Sequence, residues 1–204
     1  MKTKFNYITL GFDCSPAAAL RGLELREFAL PFDWIKLTVD ILERCIKDDF
    51  KNFHKSLKFN YNKKMLIDYY GFQFIHDYPL ISHEGEINNT HLGEGIIAEK
   101  DSIIDNWQDY YEVVYEKYKR RIERFREIMK SPKPIIVLCR HNIAYVIQLK
   151  KFLNNHYNKN DIYFVVSSKE TYEDNYIKLI NTERNNQWNE LDIWKEGLEK
   201  FWNH

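Results

Sequence analysis

Pro134-Ile135-Ile136-Val137-Leu138-Cys139-Arg140 is the stretch on which the fold turns. Its β-branched and apolar residues run without polar alternation, the pattern of a strand covered on both faces, as in parallel sheets. Ala144 to Leu153 follows with amphipathic helical spacing, and Ile162 to Ser167 (IYFVVS) reads as a second strand. Strand, helix and strand within about thirty residues make a βαβ unit with a right-handed crossover. Toward the amino terminus, Phe5 to Gly11 (FNYITLG) reads as another strand, ending at Gly11. Ser15-Pro16 then opens a helix over AAALRGL, with Ser15 at the cap and Pro16 at the first helical position. These pieces predict an α/β protein: a Rossmann-like three-layer sandwich with a mainly parallel central sheet and a helical C-terminal tail.

The remaining elements extend that frame. Val39 to Phe50 places Ile41, Leu42, Cys45 and Ile46 on one helical stripe, which makes Cys45 a core residue. Gln108 to Lys130 carries Tyr111, Val114, Tyr115, Tyr118, Ile122, Phe125 and Met129 at intervals of three and four, an apolar seam along a long helix. The cations on its other face, Lys117, Lys119, Arg120, Arg121, Arg124 and Arg126, alternate with Glu116, Glu123 and Glu127. That face reads as solvated, with pairs such as Glu116 and Arg120 at i,i+4. In the tail, helices are predicted at Tyr172–Ile180 and Leu191–Trp202, the second docking through Trp194, Leu198 and Phe201. Residues 51–106 form an irregular, aromatic-rich insertion with a strand at Gly71–His76. With seven Gly, five Pro and no linker, residues 1–204 are expected to form a single α/β domain.

Thirty Lys+Arg balance thirty Asp+Glu, which argues against a dedicated nucleic-acid binder. Hydrophobic residues at 44% and aromatics at 16% exclude a disordered chain. No apolar run reaches the roughly 18 residues a membrane span needs, and the start lacks a signal-peptide core. A soluble, cytoplasmic protein with no membrane partner is expected. Cys14, Cys45 and Cys139 are an odd number and are expected to be reduced.

Chemistry concentrates at Gly11-Phe12-Asp13-Cys14-Ser15-Pro16, where a thiol sits between a buried strand and a helix N-terminus. The partial positive charge and free N–H groups of such a terminus favour a thiolate, and they can also hold an oxyanion or a phosphate. The alternative is a small residue packed at a strand end. A nucleophilic thiol needs a base. His76, with Asp77 beside it, ends a predicted strand, and His141 follows Arg140 at the carboxyl end of the central strand, where open α/β sheets gather functional groups. His54, His156 and His204 lie in charged or terminal segments and receive no role. His76, His83 and His91, among Asp77, Glu84 and Glu86, are spaced by seven and eight residues, which suits neither a helical pair nor a chelating turn, so no metal is expected. No phosphate-binding glycine loop, dinucleotide fingerprint or serine elbow is present and no cofactor is implied. The sequon Asn88-Asn89-Thr90 carries little weight in a chain without a secretory signal. Leu30-Pro31-Phe32-Asp33-Trp34 is a stiff segment in which Asp33 either caps the helix that follows or is held near the Cys14 turn.

Leu10-Gly11-x-x-Cys14, Ala18, Leu20, Arg26 and Pro31-Phe32-Asp33-Trp34 together resemble the N-terminal signature of DUF1796, a family of bacterial and viral proteins named as papain-like cysteine peptidases. His76-Asp77, Arg124-Phe125 and Arg140 extend the resemblance over about residues 7–168. It implies Cys14 as nucleophile, a downstream histidine as base with His76 the better match, and Asp77 as an orienting partner.

The leading expectation is therefore a thiol-dependent hydrolase or acyl transferase acting on a peptide or other acyl bond. Cys14 attacks, His76 relays the proton, Asp77 or Asp33 orients the ring, and helix N–H groups hold the oxyanion. The runner-up is a glycosyltransferase-like or nucleotide-binding enzyme taking a sugar-nucleotide, in which Arg140 and the helix opening at Ser15 bind phosphate and Asp33 also meets the ligand. The candidate substrate-binding residues are Asp33, Trp34, Arg140 and His141. A non-catalytic binding protein is the third reading.

Overall fold

The computed structural model describes residues 4–11, 13–60, 62–82, 85–88, 101–172, 174–182 and 190–202. In chain order, β1 (Asn6–Thr9), α1 (Ser15–Gly22), β2 (Ile35–Lys36) and α2 (Val39–Lys47) come first. Six two-residue strands follow: β3 (Lys58–Phe59), β4 (Leu66–Ile67), β5 (Gln73–Phe74), β6 (Leu80–Ile81), β7 (Ile87–Asn88) and β8 (Ser102–Ile103). A 3-10 turn at Trp107–Tyr110 leads into α3 (Tyr111–Lys130), then β9 (Ile135–Cys139), α4 (Ile143–Tyr157), β10 (Ile162–Ser167), β11 (Ile177–Ile180) and α5 (Leu191–Trp202). Two compact units result, one from Met1–Asp33 with Arg124–His204, the other from Trp34–Glu123.

The first unit holds a four-stranded, all-parallel sheet in the order β1-β9-β10-β11. Val137 is its central register point, opposite Ile8 on one side and Phe164 on the other. All five residues of β9 are buried, as the uninterrupted apolar run requires. Ile136 and Leu138 face a core made with Tyr7, Val165, Ile180, Ala19 and Leu20 of α1, and Trp194, Leu198 and Phe201 of α5. Ile135, Val137 and Cys139 point the other way by strand alternation and are equally buried. The strand β9, the helix α4 and the strand β10 form the expected βαβ unit. Strand order equals chain order, so the winding never reverses.

Three local expectations change. The segment expected as a helix at Tyr172–Ile180 contains β11, paired in parallel with β10 from Phe164↔Ile177 to Ser167↔Ile180. Its buried ends, Ile177 and Ile180, are three apart, a spacing that fits a helix as well as this strand, and the open edge of β10 supplies the backbone partners that decide it. At α1 the cap position belongs to Cys14 and the first helical residue is Ser15, with Pro16 one place further in. The charged face of α3 is also not wholly solvated. Arg121 is buried, its guanidinium 5.3 Å from the Tyr118 ring centre, and Lys117 reaches a buried carboxylate. On the exposed side Glu116 meets Lys119, at 2.5 Å.

The second unit builds its core from rings. Two small antiparallel sheets, β2-β5-β4-β3 and β7-β6-β8, flank Phe53, Phe72, Phe74, Tyr78 and Tyr118, all fully buried. Such short strands supply few ladder bonds, and a buried side chain supplements them. The Asp68 carboxylate accepts the backbone N–H groups of His54, Tyr70, Gly71 and Phe72 at 2.9 to 3.0 Å. Gly71, at φ +104°, makes the turn that brings these donors together.

Candidate active site at the carboxyl edge of the parallel sheet

The first unit gathers its polar side chains where the parallel strands end. The chain leaves β1 through Gly11, whose φ of +77° turns it toward α1. Cys14 occupies the cap position of α1 and is half-buried. Its side chain does not cap the helix, and Asp13 takes that part. The Asp13 Oδ1 atom accepts the Ser15 N–H at 2.9 Å and the Ser15 hydroxyl at 2.6 Å. Pro16 has no N–H. A carboxylate of the chain itself therefore occupies the first backbone donor of this helix, at the end expected to hold an oxyanion or phosphate.

Arg140 leaves the end of β9 and lies 3.2 Å from Asp13 (Nε to Oδ2), close enough to pair by charge though not in hydrogen-bond geometry. Its guanidinium is fixed from the other side. Nη1 donates to the Thr182 carbonyl at 3.3 Å and Nη2 to Thr182 Oγ1 at 2.5 Å. Thr182 in turn shares a 2.6 Å hydrogen bond with Ser167, the last residue of β10, and both hydroxyls are buried. The ends of β1, β9, β10 and β11 are thus tied through one cation.

His141, next along, is buried, and its Nε2 donates to the Leu10 carbonyl at 3.2 Å. With the proton on Nε2, the neutral ring carries its lone pair on Nδ1. Burial lowers its pKa below the ordinary histidine value, while the Leu10 carbonyl and the Asp13 charge partly oppose that shift. The ring is held against the loop that carries Cys14. The N-terminus of α4 is closed by local acceptors as well, Asn142 Oδ1 for the Tyr145 N–H at 2.9 Å and Glu170 for the Ile143 N–H at 3.3 Å.

Asp33 is a scaffold residue of the same unit. At 1% exposure its carboxylate accepts the Thr9 hydroxyl at 2.7 Å and the Leu30 N–H at 2.7 Å, and it also binds Arg26. It braces the last residue of β1 against the 30–33 turn rather than capping a following helix. Trp34, His76 and Asp77 belong to the second unit. Trp34 is buried and His76 half-buried. Asp77 is buried with Oδ1 on Lys117 at 2.7 Å and Oδ2 on the Tyr118 hydroxyl at 2.9 Å. Burial works against its charge, yet Lys117 and Arg121 hold its carboxyl below the ordinary aspartate value. Both of its oxygens are committed to α3.

Among the described residues no group of three His, Cys, Asp or Glu side chains is arranged to hold a metal. His83, Glu84 and His91 lie outside the described residues, as do Asn89 and Thr90 of the sequon and His204. No described helix is long and apolar enough to cross a membrane. Sequence reasoning missed Thr182 and Ser167. The signal available was a hydroxyl residue closing an otherwise apolar strand at Ser167.

The family described as "Putative papain-like cysteine peptidase (DUF1796)" matches residues 5–160. No curated protein and no solved structure matches the chain. The matched region carries Cys14, Asp33, His76, Arg140 and His141, while Ser167 and Thr182 lie beyond its end. With well over half of its residues matched, from β1 through α4, this chain belongs to the DUF1796 family.

Proposed function

We propose that the protein is a thiol-dependent peptidase whose nucleophile is Cys14, with His141 as its base. The observation that carries this reading is local to the first unit. A half-buried thiol stands at the β1–α1 junction, and a buried imidazole is fixed to the carbonyl four residues before it. The Cys14 proton passes to His141 Nδ1 as sulfur attacks the peptide carbonyl carbon. The same proton then goes to the departing amine as the C–N bond breaks. Water hydrolyses the thioester that remains, with His141 accepting its proton. Because Asp13 holds the Ser15 N–H, we assign charge stabilisation at the substrate oxygen to Arg140. The His76–Asp77 pairing is less favoured, since Asp77 is engaged by Lys117 and Tyr118. The reading includes a Rossmann-like, three-layer first unit, supported by the burial of both faces of β9. A cytoplasmic setting suits three free thiols.

A phosphate-binding, sugar-nucleotide reading draws less support, because the N-terminus of α1 is filled by Asp13 and followed by Pro16. The test is alkylation of the folded protein with iodoacetamide, mapped by mass spectrometry, followed by a peptide-library cleavage screen. Labelling at Cys14, with cleavage abolished by Cys14→Ala and slowed about a hundredfold or more by His141→Ala, is expected. Labelling that spares Cys14, or cleavage that survives Cys14→Ala, overturns the reading. Loss of cleavage in His76→Ala alone would move the base to His76.

A further inference from the structure

We propose that a pocket at the opposite, amino-terminal edge of the parallel sheet binds a small planar aromatic ring that carries an anionic group. The pocket encloses about 460 Å³, within the range of small-molecule sites. It sits where the strands begin: Phe5 precedes β1, Pro134 precedes β9, Tyr163 is the second residue of β10 and Tyr176 precedes β11. Four rings form its wall. Tyr163 and Tyr176 stack with centroids 5.5 Å apart, Phe201 lies 5.0 Å from Tyr163, and Phe5 meets Tyr163 edge-on at 6.2 Å. Tyr176 is 40% exposed, so part of this aromatic surface is in water.

The pocket is also cationic. Lys4 and Lys178 line the pocket, with Nζ atoms 5.8 Å from Phe5 and 5.9 Å from Phe201, and Lys150 Nζ stands 4.2 Å over Tyr176. Among the described residues no carboxylate lines it. The nearby acids are committed elsewhere. Asp161 pairs with Lys159 at 3.1 Å, and Asp174 takes the Tyr176 N–H at 2.6 Å and the Tyr172 hydroxyl at 3.1 Å. Lys178 donates to the Asp174 backbone carbonyl, so it is steadied without being neutralised. Among the described residues, the two ammonium groups that line the pocket, those of Lys4 and Lys178, pair with no carboxylate. A ring contacts the wall while its phosphate or carboxylate meets the lysines. A mononucleotide and an aryl carboxylate share that chemistry.

Calorimetric titration of the full chain distinguishes them, using adenosine 5′-monophosphate against adenosine and benzoate against benzamide. At least one acid should bind at millimolar concentration or below, and its neutral counterpart about tenfold or more weakly. Binding of the nucleotide alone identifies a nucleotide site, and binding of benzoate alone an aryl-acid site. Tyr176→Ala should weaken the bound acid about tenfold. Lys4→Gln with Lys178→Gln should erase the preference for the charged member, whereas Lys119→Gln on α3 should change nothing. The inference is overturned if neither acid binds, if a neutral counterpart binds equally well, or if the double glutamine variant binds as the unsubstituted protein does.

Discussion

Arg140 has two neighbours of different kind, and they set different properties of the candidate site. Asp13 balances its charge, while Thr182 fixes its direction through two hydrogen bonds and is itself held by Ser167. Replacing Thr182 by Val keeps the shape but removes the hydroxyl, leaving the guanidinium with only the weaker bond to the Thr182 carbonyl on that side and the Ser167 hydroxyl without this partner. The rate at which Cys14 reacts with anionic iodoacetate relative to neutral iodoacetamide should then fall about threefold or more, since a fixed cation raises the local concentration of an anion. Thr182→Ser should restore the ratio. An unchanged ratio in Thr182→Val would show that Arg140 does not act on the thiol. Cys14 was legible because a strand, a glycine turn and a helix start are neighbours in sequence. Thr182 was not, because its partner is 42 residues away and only the parallel sheet brings them together.

At the scale of elements, α4 and α5 were legible from their helical period, and β9 and β10 from short, uninterrupted runs of β-branched and apolar residues. The segment carrying β11 was not, because its buried positions suit two geometries and a sheet edge chose between them. The inward cations of α3 were hidden for a related reason. Lys117 and Arg121 share a face with Tyr118, and only a buried carboxylate and an aromatic ring from the same unit make that face habitable for charge. The packing of α5 offers a test of how closely the elements fit. A Cβ at Gly197 would lie 2.7 Å from Ile180 Cγ2 and 2.7 Å from Val165 Cγ1. Alanine is the better helix former by about 1 kcal/mol, but these methyl groups belong to β-branched residues in the sheet and cannot swing aside. The contact should dominate, so Gly197→Ala is expected to destabilise by about 1–3 kcal/mol in urea unfolding. A stabilised variant would mean that α5 is not seated on β10 and β11 as described.

Across the whole molecule, the charge that folding forces out of sight is concentrated in the second unit. His54 is fully buried among Phe74, Tyr78, Tyr111 and Tyr118, with Nε2 2.8 Å from the Tyr78 hydroxyl. Burial pushes its pKa down to about 4, Lys117 adds to that shift, and the Asp77 carboxylate opposes it. A histidine whose folded value lies below its unfolded value of about 6.5 contributes fully above that pH, and the contribution drains away as pH falls toward 4. Asp68, accepting the His54 N–H, acts in the opposite direction: burial raises its carboxyl to about 6, so the folded state takes up its proton first and gains stability in mild acid. The net pH profile therefore mixes two groups, and substitution separates them. His54 sits at φ +57°, a conformation that asparagine tolerates, so His54→Asn removes the titrating ring without imposing new backbone strain. Urea unfolding of both proteins at pH 7 and pH 5 should show the unsubstituted protein losing about 2 kcal/mol relative to the variant over that interval. Parallel behaviour of the two proteins would mean that the imidazole is not kept neutral by its aromatic surroundings.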